Sequence, residues 1–289
     1  GRLVLGNGAA ELLSSATRAL IEPGQRLLTS WPSYPLYPIM ARRAHGQAVP
    51  VDGGVDALLD AAQDASTRVI ALANPNDPTG ELVPAAELER LLAGLPERVA
   101  VLLDESLVEF ADAQPTDVSL KLLERHPRLL VFRSFSKAWG LAGLRVGYAI
   151  GSPGSHELMA ELDPDLGVSE VSQAGALEAL RTCSELLERH VRTVCDERPR
   201  VIAGLRERGF DVADSQANFV WAAHAELSGG ELAARLARSG VLVAEGGALG
   251  EPQHVRIAIH KPAATARLFA AIDKALEQPA PARASGSSD

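Results

Sequence analysis

Short runs of Val, Leu, Ile and Ala recur along the first half of the chain, and amphipathic stretches of helical period separate several of them. Strands this apolar are buried on both faces, and their alternation with helices is typical of a parallel sheet. The runs lie at 26–29, 48–51, 68–72, 99–103, 129–132 and 144–149, with helices predicted at 84–93 and 118–125. The sequence therefore predicts an α/β fold with a mostly parallel sheet.

The pattern changes after Gly154, where a long helical stretch at 169–208 begins the second half. Strands are predicted at 210–213, 218–222, 241–244 and 255–259, and helices at 230–239 and 263–276. This order predicts a smaller α+β domain. We expect a large domain over 1–155, a small C-terminal domain over 156–277 and a disordered tail over 278–289, which is rich in Pro, Ala and Ser.

Composition narrows the possible partners of this chain. The formal net charge of −9 over 289 residues provides no basic surface for nucleic acid. No apolar run approaches the roughly 20 residues that a membrane span needs. Cys183 and Cys195 lie in charged, helical surroundings that suggest neither a disulfide framework nor a metal site, so we expect a cytoplasmic protein. Because the chain opens directly into Leu3 and lacks an initial Met, we expect that an N-terminal segment is missing.

The segment 131–148, VFRSFSKAWGLAGLRVGY, carries the most chemical information. Lys137 follows a predicted strand, with Ser134 and Ser136 just before it and Arg145 eight positions later. A lysine amine can form a Schiff base with an aldehyde, while hydroxyls and a guanidinium can hold a phosphate. This is the attachment chemistry of pyridoxal 5′-phosphate (PLP), to which a protein contributes position and electrostatics.

Four further motifs precede this segment. Residues 7–11, NGAAE, form a glycine turn at a helix start, where backbone N–H groups can bind phosphate. Tyr34 follows a predicted strand, and 74–80, NPNDPTG, is a dense turn signal. Asp104 ends a predicted strand at the carboxyl edge, where ligands of open α/β sheets bind. Taken singly, the glycine turn is more often only a helix entry and Asp104 more often a solvated strand end, and Tyr34 is equally compatible with a loop residue packed on the core.

Together the motifs resemble the fold-type I PLP-dependent class I/II aminotransferases, in particular those near histidinol-phosphate aminotransferase. The resemblance runs from Gly6 to about Leu276. Its most specific parts are Ser-x-Ser-Lys with Gly-Leu-Arg-Val-Gly-Tyr, and Asn-Pro-x-x-Pro-Thr-Gly. It implies a homodimeric enzyme that uses PLP to transfer an amino group from an amino acid or related amine to a 2-oxo acid.

The resemblance also implies roles for individual residues. Lys137 would carry the Schiff base and act as general base, Asp104 would pair with the pyridine nitrogen, and Tyr34 would stack on the ring. The cofactor phosphate would be held by Ser134, Ser136, Arg145 and the backbone N–H groups of Ala9 and Ala10. Arg256 would bind the anionic end of the substrate, usually an α-carboxylate, and Asn218 would line the same pocket.

Three positions depart from the family pattern. Asp77 stands where relatives usually have the asparagine that contacts the cofactor's phenolic oxygen, and Leu107 replaces a tyrosine that contacts the same atom. Ala244 replaces an arginine that helps to hold the phosphate of histidinol phosphate. Since charge-assisted bonds to such a group contribute about 1.5–3 kcal/mol each, we expect an α-amino acid donor before histidinol phosphate.

Two alternative functions remain open on the sequence. The first is a PLP-dependent decarboxylase or lyase of the same fold, similar to threonine-phosphate decarboxylase, because pocket shape decides which bond at Cα breaks. The second is a non-catalytic PLP-binding sensor domain of a transcription regulator, which would have a DNA-binding domain ahead of the present chain.

Overall fold

The computed structural model describes residues 2–164 and 166–277. Strands β1 to β7 span Leu3–Asn7, Arg26–Ser30, Gln47–Val51, Thr67–Ala73, Ala100–Asp104, Leu129–Ser134 and Val146–Gly151. They form one sheet in the order β1-β7-β6-β5-β4-β2-β3. Strands β2 to β6 are parallel to one another, and β7 pairs antiparallel with both β6 and β1. The predicted mostly parallel sheet is confirmed.

Helices cover both faces of this sheet, as its continuously apolar strands require. They are α1 to α6, at Ala9–Leu20, Leu36–Arg43, Gly54–Ala61, Ala85–Gly94, Val118–Leu122 and His156–Glu161. Successive residues of β5 point to opposite faces: Leu102 packs in the core with α1, α2 and α6, whereas Val101 and Leu103 pack in the core with α3, α4 and α5.

The second half of the chain forms a four-stranded antiparallel sheet in the order β10-β11-β9-β8. Its strands β8 to β11 span Phe210–Val212, Phe219–His224, Ala244–Glu245 and His254–Ala258. Helices α7 to α10 span Glu170–Thr182, Ser184–Arg206, Gly229–Arg238 and Pro262–Leu276. The two sheets occupy separate stretches of the chain, and the domain boundary at residue 155 stays a prediction. The predicted tail at 278–289 lies outside the described residues.

Several element boundaries differ from the predictions. The single helical stretch at 169–208 is interrupted at Cys183 and forms two helices. The strand predicted at 144–149 begins only at Val146, because Arg145 adopts a left-handed backbone conformation with φ of 53°. The strand predicted at 241–244 is reduced to β10, and Leu242 is largely exposed. The pattern gave no signal for α2, whose sequence contains Pro38.

Within residues 2–164 and 166–277, none of the helices combines the length and the apolar character that a bilayer crossing demands. In the same residues, no group of three or more His, Cys, Asp or Glu side chains is arranged to hold a metal ion. Cys183 and Cys195 are both free thiols.

Candidate active site

The candidate site lies at the carboxyl edge of the seven-stranded sheet, where strands β4, β5 and β6 end side by side. The N-terminus of α1 approaches the same edge. A cavity of about 280 Å³ opens between these elements. Its wall is formed by Ala9, Ala10, Leu13, Tyr34, Ala73, Pro75, Asp77, Asp104, Ser106, Leu107, Ser134, Ser136, Lys137, Ala142 and Arg145. All of the residues predicted to bind the cofactor line this one cavity.

Lys137 lies in the turn that follows β6, and backbone hydrogen bonds fix this turn. Phe135 N donates to Val146 O at 3.0 Å, and Gly140 N donates to Lys137 O at 3.0 Å. Phe135 is buried and anchors the turn, whereas the Lys137 side chain is exposed at the cavity wall. The strand and its turn therefore hold the lysine backbone in place and leave its amine free to react.

Asp104, the last residue of β5, is a buried carboxylate with a donor on each oxygen. The Tyr37 hydroxyl donates to Oδ2 at 3.2 Å, and Ser106 N donates to Oδ1 at 3.0 Å. Burial raises the pKa of Asp104, while the bonds from Ser106 and Tyr37 and the charge of Lys137 act in the opposite direction. The carboxylate is thus oriented into the cavity and faces the positive charge of the lysine.

Tyr37 was not predicted from the sequence, although it contacts Asp104 directly. It lies on α2 three residues after Tyr34, and the two rings meet edge to face with centroids 5.7 Å apart. Tyr34 lies before α2, and the helix contains Pro38, so the sequence pattern gave no signal for the position of Tyr37. Burial, followed by the charges of Asp104 and Asp77, raises the pKa of Tyr34, which keeps its hydroxyl neutral.

The start of α1 and Arg145 form a cradle for an anion. Arg145 Nη2 donates to Asn7 O at 3.2 Å, and Nη1 donates to Ser136 Oγ at 3.4 Å. Gly8, with φ of 81°, precedes the helix, and a Cβ there would lie 2.4 Å from Arg145 Nη2. The absence of a side chain at Gly8 therefore leaves room for the guanidinium beside the free N–H groups of Ala9 and Ala10.

Gly147 explains how the start of α1 reaches this position. A Cβ at Gly147 would lie 2.3 Å from Ala9 N and 2.5 Å from Gly8 C, which are backbone atoms that cannot move aside as a side chain can. The helix N-terminus therefore approaches β7 more closely than any residue with a side chain would permit. Ser134 Oγ lies at the end of the neighbouring β6 and accepts from Ser136 N at 3.1 Å.

The turn at 74–80 is fixed by its two asparagines. Asn74 Nδ2 donates to Val83 O at 3.1 Å, and Asn74 Oδ1 accepts from Val83 N at 2.7 Å. Asn76 Nδ2 donates to Pro32 O at 3.0 Å, and Ser33 Oγ donates to Asn76 Oδ1 at 2.8 Å. These bonds tie the turn to the loop that carries Tyr34 and hold the intervening Asp77 against the cavity.

The turn also contacts the second half of the chain. Gln216 N donates to Gly80 O at 2.7 Å, and a Cβ at Gly80 would lie 2.1 Å from Ser215 Oγ. Gln216 Oε1 in turn accepts from Asp112 N and Ala113 N, each at 2.9 Å. The segment before β9 is therefore closely joined to loops of the large sheet.

The two predicted substrate residues lie outside the cavity wall. Arg256 on β11 donates from Nη1 to Asp77 Oδ1, and its guanidinium lies 5.0 Å from the centre of the Phe219 ring. Asn218 precedes β9, where its carbonyl accepts from Ile259 N at 2.8 Å. Asp77 thus lies at the cavity wall and contacts Arg256, and the substrate roles of Arg256 and Asn218 stay predictions.

Comparison with known proteins agrees with this geometry. A family model described as aminotransferase class I and II matches residues 1–272. Histidinol-phosphate aminotransferase 1 of Nitrosococcus oceani is 34% identical over 282 residues, which cover 96% of this chain and 75% of that protein. An aromatic amino acid aminotransferase of Mycobacteroides abscessus is 40% identical over 223 residues, 76% of this chain and 64% of that protein.

Solved structures give the same result. The histidinol-phosphate aminotransferase of Sinorhizobium meliloti, solved in complex with PLP, superposes with a TM-score of 0.84 at 26% identity and covers 96% of this chain and 77% of that one. A threonine phosphate decarboxylase of Porphyromonas gingivalis superposes with a TM-score of 0.81 at 22% identity, which shows a shared fold alone. The resemblance predicted from the motifs is confirmed: the chain belongs to the class I and II aminotransferases.

Proposed function

We propose that this chain is a PLP-dependent aminotransferase that transfers the amino group of an α-amino acid to a 2-oxo acid. The observation that carries the proposal is one cavity in which a lysine amine, a buried carboxylate and an anion cradle face each other. The lysine amine would react with the aldehyde of the cofactor, the carboxylate would face its pyridine nitrogen, and the cradle would hold its phosphate. When bound, PLP supplies an electron sink for negative charge at the substrate's Cα.

The cradle fits a phosphate because its groups are donors or cations. Arg145 supplies a guanidinium, Ser134 and Ser136 supply hydroxyls, and the start of α1 supplies backbone N–H groups with the positive end of the helix dipole. The space left by Gly8 keeps these donors together. A dianionic group would therefore bind here through charge-assisted hydrogen bonds.

Lys137 and Asp104 would perform the chemistry. Lys137 Nζ would hold the cofactor covalently and, once an incoming amine has displaced it, would move a proton at the substrate's Cα as a general base. Asp104 would keep a proton on the ring nitrogen, since its two oxygens are already oriented by Tyr37 and Ser106. Tyr34 would pack on the ring from the loop held by Asn76.

The substrate side of the proposal depends on Arg256. Ala244 lies directly opposite Arg256 in the β10–β11 ladder, so a methyl group occupies the place where a second cation would assist phosphate binding. A single guanidinium suits a carboxylate, which supports an amino acid donor in preference to histidinol phosphate. By family resemblance we also propose a cytoplasmic homodimer with domains at 1–155 and 156–277.

Reduction with borohydride tests the cofactor assignment. Purified protein incubated with PLP and then reduced should carry the cofactor covalently on the peptide that contains Lys137, as seen by mass spectrometry. Lys137→Ala should abolish the label, whereas Lys121→Ala, at an exposed lysine on α5, should retain it. Labelling that persists in Lys137→Ala would refute the assignment.

A panel of amino acids separates the possible reactions. Transamination releases a 2-oxo acid and leaves pyridoxamine phosphate on the protein, whereas decarboxylation releases CO2. We expect the first pair of products. Release of CO2 would favour the decarboxylase alternative, and cofactor binding without turnover of any amine would favour the sensor alternative.

A further inference from the structure

The ion pair between Asp77 and Arg256 is unexpected for an arginine assigned to bind substrate. Nη1 of Arg256 donates to Oδ1 of Asp77, and the two side chains are 29% and 10% exposed. A carboxylate of the protein therefore contacts the guanidinium that a carboxylate of the substrate would contact. Charge-assisted hydrogen bonds of this type are roughly twice as strong as neutral ones, so Asp77 competes with a substrate carboxylate for Arg256.

Both partners are held where they are by independent contacts. Asp77 lies inside a turn whose neighbours Asn74 and Asn76 each make side-chain hydrogen bonds to the backbone of other segments. Arg256 is part of the β9–β11 ladder, and its guanidinium lies over the Phe219 ring. These contacts fix the backbone of both residues, and the Phe219 ring also orients the guanidinium, so the structure places the two charged groups together at the edge of the cavity.

The charges around the pair do not already neutralise Asp77. Lys137 and Arg145 line the same cavity, but Lys137 acts on Asp104, and Arg145 donates to Ser136, Ala142 and Asn7. Ala244, the cross-strand neighbour of Arg256, carries no charge. Arg256 and Asp77 therefore neutralise each other at the edge of the cavity, where Asp77 forms part of the wall.

We propose that Asp77 is a specificity-determining residue, which occupies the anion site of Arg256 and reduces the preference of the pocket for ligands with an anionic end. The inference rests on the proposed function, because it concerns the site assigned there to the substrate. A ligand carboxylate must displace Asp77 from the Arg256 guanidinium or share the guanidinium with it. A neutral end group of the same shape is not repelled by the Asp77 carboxylate. Amines that carry an amide or a hydroxyl in place of the α-carboxylate are thus accepted beside amino acids.

The test compares two ligands of equal shape and different charge. 3-Phenylpropionate and 3-phenylpropanamide would be titrated by calorimetry into the PLP-loaded protein, and the ratio of their dissociation constants would be taken. We expect the wild-type protein to bind the two within about threefold of each other. Asp77→Asn should shift the ratio at least tenfold towards the carboxylate, which corresponds to about 1.4 kcal/mol.

Further variants separate charge removal from a change of shape. Asp77→Ala should shift the ratio in the same direction, and adding Arg256→Gln to Asp77→Asn should abolish the gain. Asp112→Asn is the matched control, because Asp112 pairs with Arg198 at 2.8 Å and does not line the cavity. This control should leave the ratio unchanged.

Each result decides the proposal. The proposal would be overturned if the wild-type protein already bound the carboxylate more than tenfold more tightly than the amide, or if this preference rose in neither Asp77 variant. The absence of carboxylate binding in both variants would also overturn it. Failure of the proposed function gives a different pattern, in which borohydride fixes no cofactor at Lys137. The ligand ratio can then still be measured on the cofactor-free protein.

Discussion

Glu109 gives a quantitative prediction about how stability depends on pH. It lies in the short 3-10 turn Val108–Phe110 that follows β5, and its buried Oε2 has no hydrogen-bond partner among the residues that the structure describes. Burial raises the pKa of Glu109 to about 7, and the negative charge of Glu105 adds to the rise. The neighbouring Arg133 opposes it only in part, because its guanidinium pairs with Glu105 at 2.8 Å.

The raised pKa fixes the sign of the effect. An unfolded glutamate has a pKa of 4.5, so between pH 4.5 and about 7 the folded protein binds more protons at Glu109 than the unfolded chain does. The free energy of unfolding therefore falls as pH rises through this window. At about 1.4 kcal/mol for each pH unit, the full window corresponds to about 3 kcal/mol.

The perturbation is Glu109→Gln, which keeps the shape of the side chain and removes its titration. We expect the free energy of unfolding of this variant, measured by urea denaturation, to equal that of the wild type within about 1 kcal/mol near pH 4.5 and to exceed it by about 3 kcal/mol at pH 8. The control is Glu89→Gln, in which an exposed carboxylate paired with Arg125 is removed. It should lower stability by less than about 1 kcal/mol. A Glu109→Gln difference that does not grow with pH would refute the reasoning.

Two further substitutions test the contacts that hold the site residues in place. Tyr37→Phe removes the buried hydroxyl that donates to Asp104. Because hydrogen bonds to charged groups contribute about 1.5–3 kcal/mol, the affinity for PLP, measured by absorbance titration, should fall about tenfold or more. An unchanged affinity would show that this bond does not support the site. Gly147→Ala should lower the free energy of unfolding by about 1–3 kcal/mol and weaken binding of inorganic phosphate, because the added methyl meets the backbone of Ala9. The control is Gly143→Ala, where a Cβ would meet nothing within 4 Å. Stability would be measured by urea denaturation and phosphate binding by calorimetry. Equal losses of stability and phosphate affinity in the two variants would contradict the argument that α1 and β7 require close contact at Gly147.

The parallel strands and the cofactor residues at the cavity wall could be predicted from the sequence because they depend on local patterns. Strands β4, β5 and β6 are continuous apolar runs, and the residues just after such runs lie together at the carboxyl edge of a parallel sheet. Lys137 and Asp104 were therefore predicted to share one site, and they line the same cavity. The glycine turn at 7–11 was assigned to phosphate binding on a different ground, because backbone N–H groups at a helix start can bind an anion.

Other contacts could not be read from local patterns, because residues distant in sequence create them. Asp77 and Arg256 are 179 positions apart, and only the packing of the two sheets brings them together. Tyr37 lies on a helix whose sequence contains Pro38, so its pattern predicted no element from which to place the side chain. The strand predicted at 241–244 looked buried by composition, yet Leu242 is 86% exposed.

The turn at 74–80 has a mechanical consequence. The carbonyl of Gly80 accepts from Gln216 N in the segment before β9, and Asp77 pairs with Arg256 on β11, so this short turn contacts the second half of the chain at two points. A rotation of the second half of the chain relative to the large sheet must either move the turn or break both contacts. Release of Asp77 by Arg256 would therefore remove one of these two contacts and leave the Gly80–Gln216 hydrogen bond as the other.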